Sequence, residues 1–179
     1  EFGYVAPTFY TGGTSSAAPP LVNFFNASYT GSRNNFTGNL GYEFTPSANI
    51  IVTALGRPVS GTMENDHAIK IWKVSDQSLV ASATVTPSST SDPLGYKYTP
   101  LSSAVTLTSG TIYRITSGES SGGDAWFDVG SISNHLTTAS ISQGAFWGSG
   151  DVYPQNTYGG TEFGYVAPTF YTGGTSSAA

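Results

Sequence analysis

Short runs rich in Val, Ile, Thr, Tyr and Phe alternate along the chain with segments of Gly, Pro, Ser, Asn and Asp. This spacing predicts many short strands joined by turns, as in a β-sandwich or jelly roll. No segment sustains the 3.6-residue period of an amphipathic helix, so we expect no long helix. The predicted strands are 40–45, 49–57, 67–74, 79–85, 94–101, 111–117, 124–129 and 163–171.

Alternation within these runs predicts which residues face the core. Ile69 and Ile71 flank Lys70, which places both isoleucines on one buried face. The segments 75–78 and 108–110 are predicted hairpin turns. The first turn leads into a strand on which Leu79, Ala81, Ala83 and Val85 share one face. The second leads into a strand with Ile112 and its period-two neighbours facing inwards.

Residues 131–160 follow the strand pattern less regularly, because Ser, Gly, Asn and Gln dominate there. The segment nevertheless contains Phe146, Trp147, Tyr153 and Tyr158. We expect a long ordered excursion with one or two short strands. Such loops often carry binding sites.

An identical block of 18 residues, EFGYVAPTFYTGGTSSAA, occupies positions 1–18 and 162–179. The offset is 161 residues, far beyond the roughly 20–50 residues of a solenoid repeat, so the repeating unit is a whole domain. The first ten residues have strand character, which Pro168 restricts to an edge or bulge. The Gly, Ser and Pro residues that follow resemble a linker.

These features predict four segments. Residues 1–10 are the closing strand of a preceding repeat, and 11–20 are a linker. Residues 21–172 form the β-sandwich, and 173–179 begin the next linker. The expected fold is therefore all-β: a jelly-roll-like antiparallel β-sandwich whose terminal strand is shared or repeated between successive units.

Composition narrows the classes of partner. Charged residues make up only 9% of the chain, against roughly 25% in typical soluble domains. The six basic residues are scattered and the net charge is −5, which argues against nucleic acid as a partner. There is no cysteine and no apolar run of the ~20 residues that a membrane span needs. Such a surface suits an exported protein that meets other proteins or carries glycans.

Four segments resemble a known group of domains when taken in order: FTPSANIIVTALGR (44–57), HAIKIWKV (67–74), LVASATV (79–85) and YKYTPLSSAVTLTSGTIYRI (96–115). They are similar to uncharacterised exported β-sandwich domains of bacterial surface proteins, often associated with PEP-CTERM-type sorting signals. The resemblance covers about 40–117 and the closing strand. It implies a jelly-roll-like sandwich, an exported location and no established enzymatic activity, and it supplies no catalytic residues.

Glycan contacts are suggested at three positions. Asn26 and Asn35 begin Asn-X-Ser/Thr sequons and are candidates for N-glycosylation. Trp147, in the Gly-rich segment GAFWGSG, is the aromatic residue best suited to stacking against a sugar. Trp72 and Trp126 lie within predicted strands and are expected to pack on a sheet.

Acidic residues and histidines offer weaker candidates for chemistry. Carboxylates gather at Glu64 and Asp66 and again at Glu119, Asp124 and Asp128. Paired acids serve glycosidases, and acids with carbonyl oxygens bind Ca²⁺, but neither group has a dedicated spacing. Turn capping explains Asp66 and Asp124 without chemistry. His67 is expected to start a strand, and no third ligand accompanies His67 and His135. We therefore predict no catalytic residue, no metal and no cofactor.

The leading hypothesis is a structural repeat of an extracellular fibre, stalk or surface polymer, whose partners are copies of itself. The unit would join its neighbours through the linker and the repeated strand, with aromatic burial from Phe2, Tyr4, Phe9, Tyr10, Phe163, Tyr165, Phe170 and Tyr171. Two alternatives remain. One is a carbohydrate-binding or adhesin module repeated for avidity. The other is an engineered chain with a duplicated end strand.

Overall fold

A computed structural model describes residues 22–23, 25–27, 31–129, 132–134, 139–161 and 163–172. Within these ranges every regular element is a strand, every strand pair is antiparallel, and there is no helix. The expectation of an all-β antiparallel sandwich is confirmed. The first copy of the repeated block and the linker lie outside the described residues.

The strands are numbered in chain order. They are Val22–Asn23 (β1), Phe25–Ala27 (β2), Ser32–Arg33 (β3), Gly38–Pro46 (β4), Ile50–Pro58 (β5), His67–Lys73 (β6), Leu79–Val85 (β7), Thr90–Ser91 (β8), Tyr96–Leu107 (β9), Tyr113–Glu119 (β10), Trp126–Val129 (β11), Ile132–Asn134 (β12), Ala139–Trp147 (β13), Asn156–Tyr158 (β14), Gly164–Tyr165 (β15) and Thr169–Thr172 (β16).

Two large sheets dominate the molecule. One has five strands in the order β1-β16-β5-β9-β8, and the other has six in the order β14-β13-β4-β10-β6-β7. Two smaller sheets, β15-β11-β3 and β12-β2, accompany them.

The core lies between the large sheets, where alternate residues of the strands point inwards. It holds β-branched and aromatic side chains, which suit a pleated buried surface. Its completely buried strand residues come from both sheets: Tyr42, Phe44, Val52, Leu55, Ile69, Ile71, Val85, Leu107, Ile115 and Phe170. As predicted, Ile69 and Ile71 share the inner face.

The outer face of the six-stranded sheet is also covered, by the segment between β13 and β14. Asp151 in this segment forms an ion pair with Lys70, and Tyr153 packs edge-on against Trp72 with ring centroids 6.1 Å apart. Lys70 is consequently buried although it points away from the core. Period-two alternation predicts the inner face here, but it gives no sign of this second layer.

Most predicted strands are confirmed, mainly with shifted ends, but several expectations are wrong. Residues 139–147 form a nine-residue strand inside the six-stranded sheet, where the sequence predicted an excursion with short strands. The register shifts between Ile141 and Gln143, so the alternation of buried positions is broken along β13. Ile112 was predicted to face inwards but is exposed, because it precedes β10. Leu79 was predicted to share the face of Ala81 and Val85 but is exposed, because the register shifts between Ile71 and Trp72 and pairs Leu79 with Trp72.

Candidate functional site

The second copy of the repeated block closes the fold in two steps. Gly164–Tyr165 pairs with β11 in a small sheet, and Thr169–Thr172 then pairs with β5 in the five-stranded sheet. Between them Val166 and Ala167 have φ angles of 62° and 66°, a left-handed conformation that L residues rarely adopt. This corner splits the single strand predicted over 163–171, with Pro168 inside the break.

The closing strand β16 contributes to both faces of its sheet. Phe170 is completely buried in the core, 5.7 Å from Phe44 between ring centroids. Tyr171 points to the opposite face, where its ring stacks on Tyr98 at 3.8 Å. Its hydroxyl donates to Asp92 Oδ2 at 3.0 Å. Burial, with the Asp92 carboxylate beside it, raises the pKa of Tyr171 to about 12.

The chain enters and leaves the unit at neighbouring positions. Val22 and Asn23 of β1 pair with Thr172 and Tyr171 of β16, so the first described residues lie beside the last. Because β16 also pairs with β5, it is an interior strand. The second copy of the block therefore occupies a place with backbone partners on both sides.

A cleft of about 250 Å³ opens where the small sheet β15-β11-β3 meets the large one. Its lining is mainly aromatic, with two polar residues: Arg33, Asn35, Phe36, Leu40, Trp126, Phe146 and Tyr165. The rings meet edge to face in the order Phe36, Phe146, Tyr165 and Trp126. Neighbouring ring centroids are 6.0–6.4 Å apart. We call this the aromatic cleft.

Charge at the aromatic cleft is balanced. The guanidinium of Arg33 lies 4.6 Å from the ring centre of Trp126 and donates to Asp128 Oδ1 at 3.1 Å. A second groove of about 420 Å³ shares Arg33 and Tyr165 with the cleft and adds Asp128, Tyr158 and Phe163. The buried indole nitrogen of Trp126 has no hydrogen-bond partner among the described residues.

A separate network of charges is buried between the two large sheets. Arg57 of β5 binds Glu119 of β10 through two parallel hydrogen bonds of 3.0 and 2.9 Å. His67 lies beside this pair, with Nδ1 3.4 Å from Glu119 Oε2 and Nε2 2.9 Å from Asp124 Oδ2. Asp124 in turn accepts the backbone N–H groups of Glu64 and Asn65. The network therefore links the five-stranded sheet to the six-stranded sheet inside the protein.

The network shifts the pKa values of its members. Burial alone lowers the pKa of His67, but the hydrogen bond and charge of Glu119, with the bond to Asp124, outweigh burial and hold it above 6.5. Burial alone raises the pKa of Glu119, but the bonds from His67 and Arg57 hold it below 4.5. The charged forms of both residues are therefore stabilised in the fold.

The structure corrects the grouping of acidic residues. Glu119 and Asp124 come together around His67, while Asp128 pairs with Arg33 on the surface. Asp124 caps the backbone of a different loop and not its own turn, and His67 is the first residue of β6, as predicted. No cluster of three or more His, Cys, Asp or Glu residues suited to a metal ion occurs within the described ranges.

Other predicted site residues are scattered. Trp147 ends β13 opposite Asn39 and is half-buried, so it lies in a strand and not in the predicted loop. Trp72 and Trp126 are buried on sheets, as expected. Asn35 is exposed beside the aromatic cleft, and Asn26 lies in β2. Phe2, Tyr4, Phe9, Tyr10 and His135 lie outside the described residues.

Sequence reasoning missed the aromatic cleft, because its residues come from four segments that are far apart in the chain: 33–40, Trp126, Phe146 and Tyr165. Arg33 and Trp126 meet through the pairing of β3 with β11, which joins residues 93 positions apart. The local signal was limited to aromatic residues at strand ends. No periodicity within one strand reveals that these ends converge.

Comparison with known families assigns most of the chain to one of them. Residues 26–165 match the family described as a domain of unknown function (DUF4082). The match covers most of the chain, and the chain belongs to this family. It ends at Tyr165 in β15, before the closing strand β16. A search of curated proteins finds no match. The described part of the chain contains no helix long and apolar enough to cross a membrane.

Proposed function

We propose that this domain is a structural repeat unit of an extracellular fibre, stalk or surface polymer. One observation carries the proposal: the second copy of the repeated block is built into the sheets of its own unit, next to the point where the chain enters. A block with the same sequence stands before the unit, separated by linker residues. The simplest use of that first copy is to close a preceding unit in the same way.

The geometry sets how such units are strung together. In an array, Thr11 stands where Thr172 stands in the preceding unit, and eleven residue steps lead from it to Val22. A linker of this length spans at most about 40 Å. The chain enters and leaves each unit at paired residues of adjacent strands. Each unit would therefore be attached at one point and project to the side of the line formed by the linkers.

Further features support an exposed, exported location of the kind associated with bacterial surface proteins. Charged residues are sparse, Ser and Thr are frequent in the linker, and the sequon at Asn35 lies on the surface. These features fit a protein with glycans or protein neighbours around it. The proposal includes the jelly-roll connectivity and the surface attachment, and it gives the unit no reaction of its own.

A chain of three consecutive units tests this proposal. Electron microscopy should show three separate globules, and small-angle scattering should give attachment points no more than about 40 Å apart. A control chain with a doubled linker should show wider spacing with the same globules. A single fused body, or three units whose spacing ignores linker length, would contradict the proposal.

The aromatic cleft supports a second candidate function, binding of a neutral sugar. Aromatic walls suit the apolar face of a sugar ring, and Arg33 and Asn35 in the lining offer hydrogen-bond donors and acceptors. Asp128 lines the adjoining groove and neutralises the charge of Arg33. This site replaces Trp147 as the best place for a sugar, because Trp147 does not line the cleft.

Calorimetry with hexasaccharides of glucose, mannose and N-acetylglucosamine tests the second candidate. Arg33→Ala should lower the affinity about tenfold, as expected for loss of one charged hydrogen bond. Trp147→Ala serves as the matched control and should bind normally. If only Trp147→Ala lost binding, the sugar would bind at the site suggested by the sequence. Absence of binding to all three sugars would remove this candidate.

A further inference from the structure

We infer that the place of β16 in the five-stranded sheet is a binding site that either copy of the repeated block can fill. The inference concerns a single chain and does not depend on the proposed array. β16 is an interior strand with strand partners on both sides. The first copy has the same sequence and stands ahead of β1 in the same chain.

The first copy carries every side chain that the site recognises. The site receives Phe170 in the core and Tyr171 on the outer face, and it receives the carbonyl of Pro168 as acceptor for the Tyr42 hydroxyl at 2.7 Å. The corresponding residues of the first copy are Phe9, Tyr10 and Pro7. Because the letters are identical, the contacts within the site would be identical as well.

The segment between the first copy and β1 is also long enough for the first copy to replace the second in the site. Val22 pairs with Thr172, and Thr11 corresponds to Thr172. If Thr11 took that position, residues 12–21 would form a ten-residue loop between two adjacent antiparallel strands. Antiparallel neighbours need only a short loop, so the first copy can form a hairpin with β1 without changing any other strand.

The loop-closure free energies for placing the second copy and the first copy in the site are similar. The second copy reaches β15 from β14 through residues 159–163, a connection of five residues. The first copy would need ten. Doubling a flexible loop disfavours closure by only about threefold. Loop length therefore gives the second copy a small advantage, and loss of that copy should bring the first into its place.

The chain has two copies of the block but only one β16 site, so one copy remains outside the site. The remaining copy can fill a matching site in another unit or another chain, because strand addition at a sheet supplies backbone hydrogen bonds as well as side-chain burial. The ligand of this site is thus a peptide with the sequence of the block, supplied by the same chain or by a second copy.

Three variants of the full chain test the inference: Phe9→Asp, Phe170→Asp and the double variant. A buried aspartate in the core disables whichever copy carries it. Phe9→Asp should leave the urea midpoint unchanged. Phe170→Asp should remain folded, with a folding constant lowered about threefold, because the first copy replaces the second. The double variant should be unfolded. Phe44→Asp, in a core strand that the chain has only once, is the matched control and should also be unfolded.

Hydrogen exchange of Phe170→Asp identifies the copy in the site, since the substitution distinguishes the two blocks by mass. Backbone amides 8–11 should become protected and amides 169–172 exposed. If Phe170→Asp is as unfolded as the double variant, the first copy does not fill the site. A folded double variant would equally overturn the inference, because the site would then need neither phenylalanine.

Discussion

Individual residues hold this sandwich together with charges as well as with apolar side chains. The Arg57–Glu119 pair lies between the sheets, and both side chains are almost completely buried. Removing water from two ions is costly, and the gain from pairing depends on satisfying every remaining donor and acceptor. Here Arg57 also donates to the carbonyl oxygens of Pro58 and Ala125, and Glu119 accepts from Ser117.

Loss of one partner of this pair should be severe. Arg57→Met leaves the Glu119 carboxylate buried beside only His67 and Ser117, and we expect the free energy of unfolding to fall by about 3–5 kcal/mol. Urea denaturation at pH 6 measures the loss. Lys73→Met, which removes an exposed ion pair with Asp76, is the control and should change the stability little, because solvent screens exposed pairs. Equal losses in the two variants would show that the buried pair has no special role.

The same network should make stability depend on pH. The pKa of His67 is raised above 6.5, so its contribution is complete below that value and disappears as the pH rises through the folded pKa. The pKa of Glu119 is lowered below 4.5, so its contribution is complete above 4.5 and disappears as the pH falls through its folded pKa. The free energy of unfolding should therefore be greatest between about pH 4.5 and 6.5.

Thermal unfolding across pH 3–9 checks this profile, with His67→Gln as the comparison. The variant should lose the decline on the alkaline side, because glutamine does not titrate. An unchanged alkaline decline in His67→Gln would assign that limb to other groups.

Gly41 illustrates how a single residue permits two strands to pack. A Cβ atom at this position would lie 1.8 Å from the carbonyl oxygen of Ile115, which is backbone of β10 and has no room to move. Gly41→Ala should therefore destabilise the protein by about 1–3 kcal/mol or more. In Gly118→Ala, on the adjoining strand, the new Cβ atom would lie 3.7 Å from its nearest neighbour and should be tolerated. Chemical denaturation of both variants separates the cases, and equal stability would contradict the assigned contact.

At the scale of elements, local pattern predicted strands well wherever alternation was unbroken. Residues 79–85 were predicted with the observed bounds, and β4, β5, β6 and β10 differ only at their ends. Prediction failed where backbone geometry interrupts the period. The shift near Ser142 obscured β13, and the left-handed Val166 and Ala167 divided the closing segment. Pro168 next to Ala167 indicates an interruption of the closing segment, whereas no glycine or proline marks the shift near Ser142.

The candidate sites were likewise predictable only where their residues are contiguous in the sequence. The closing strand was predictable, because its residues are contiguous and repeated in the sequence. The aromatic cleft and the Arg57–Glu119–His67–Asp124 network were not, since each joins residues from several strands. Asp124 and His67 are 57 residues apart and Arg57 and Glu119 are 62 apart. Only the register between strands and the stacking of the sheets bring these groups together.

At the scale of the whole molecule, the neighbouring positions of Val22 and Thr172 determine how a line of such units responds to tension. A pull along the linkers would act on one end of the β1–β16 pair, opening its hydrogen bonds one after another like a zipper. Strands pulled lengthwise past each other break many bonds at once and resist far larger forces. An array of these domains would therefore unfold at low force, and each unfolded unit would release about 500 Å of chain. Such an array suits an extensible tether that absorbs sudden loads and does not suit a rigid strut.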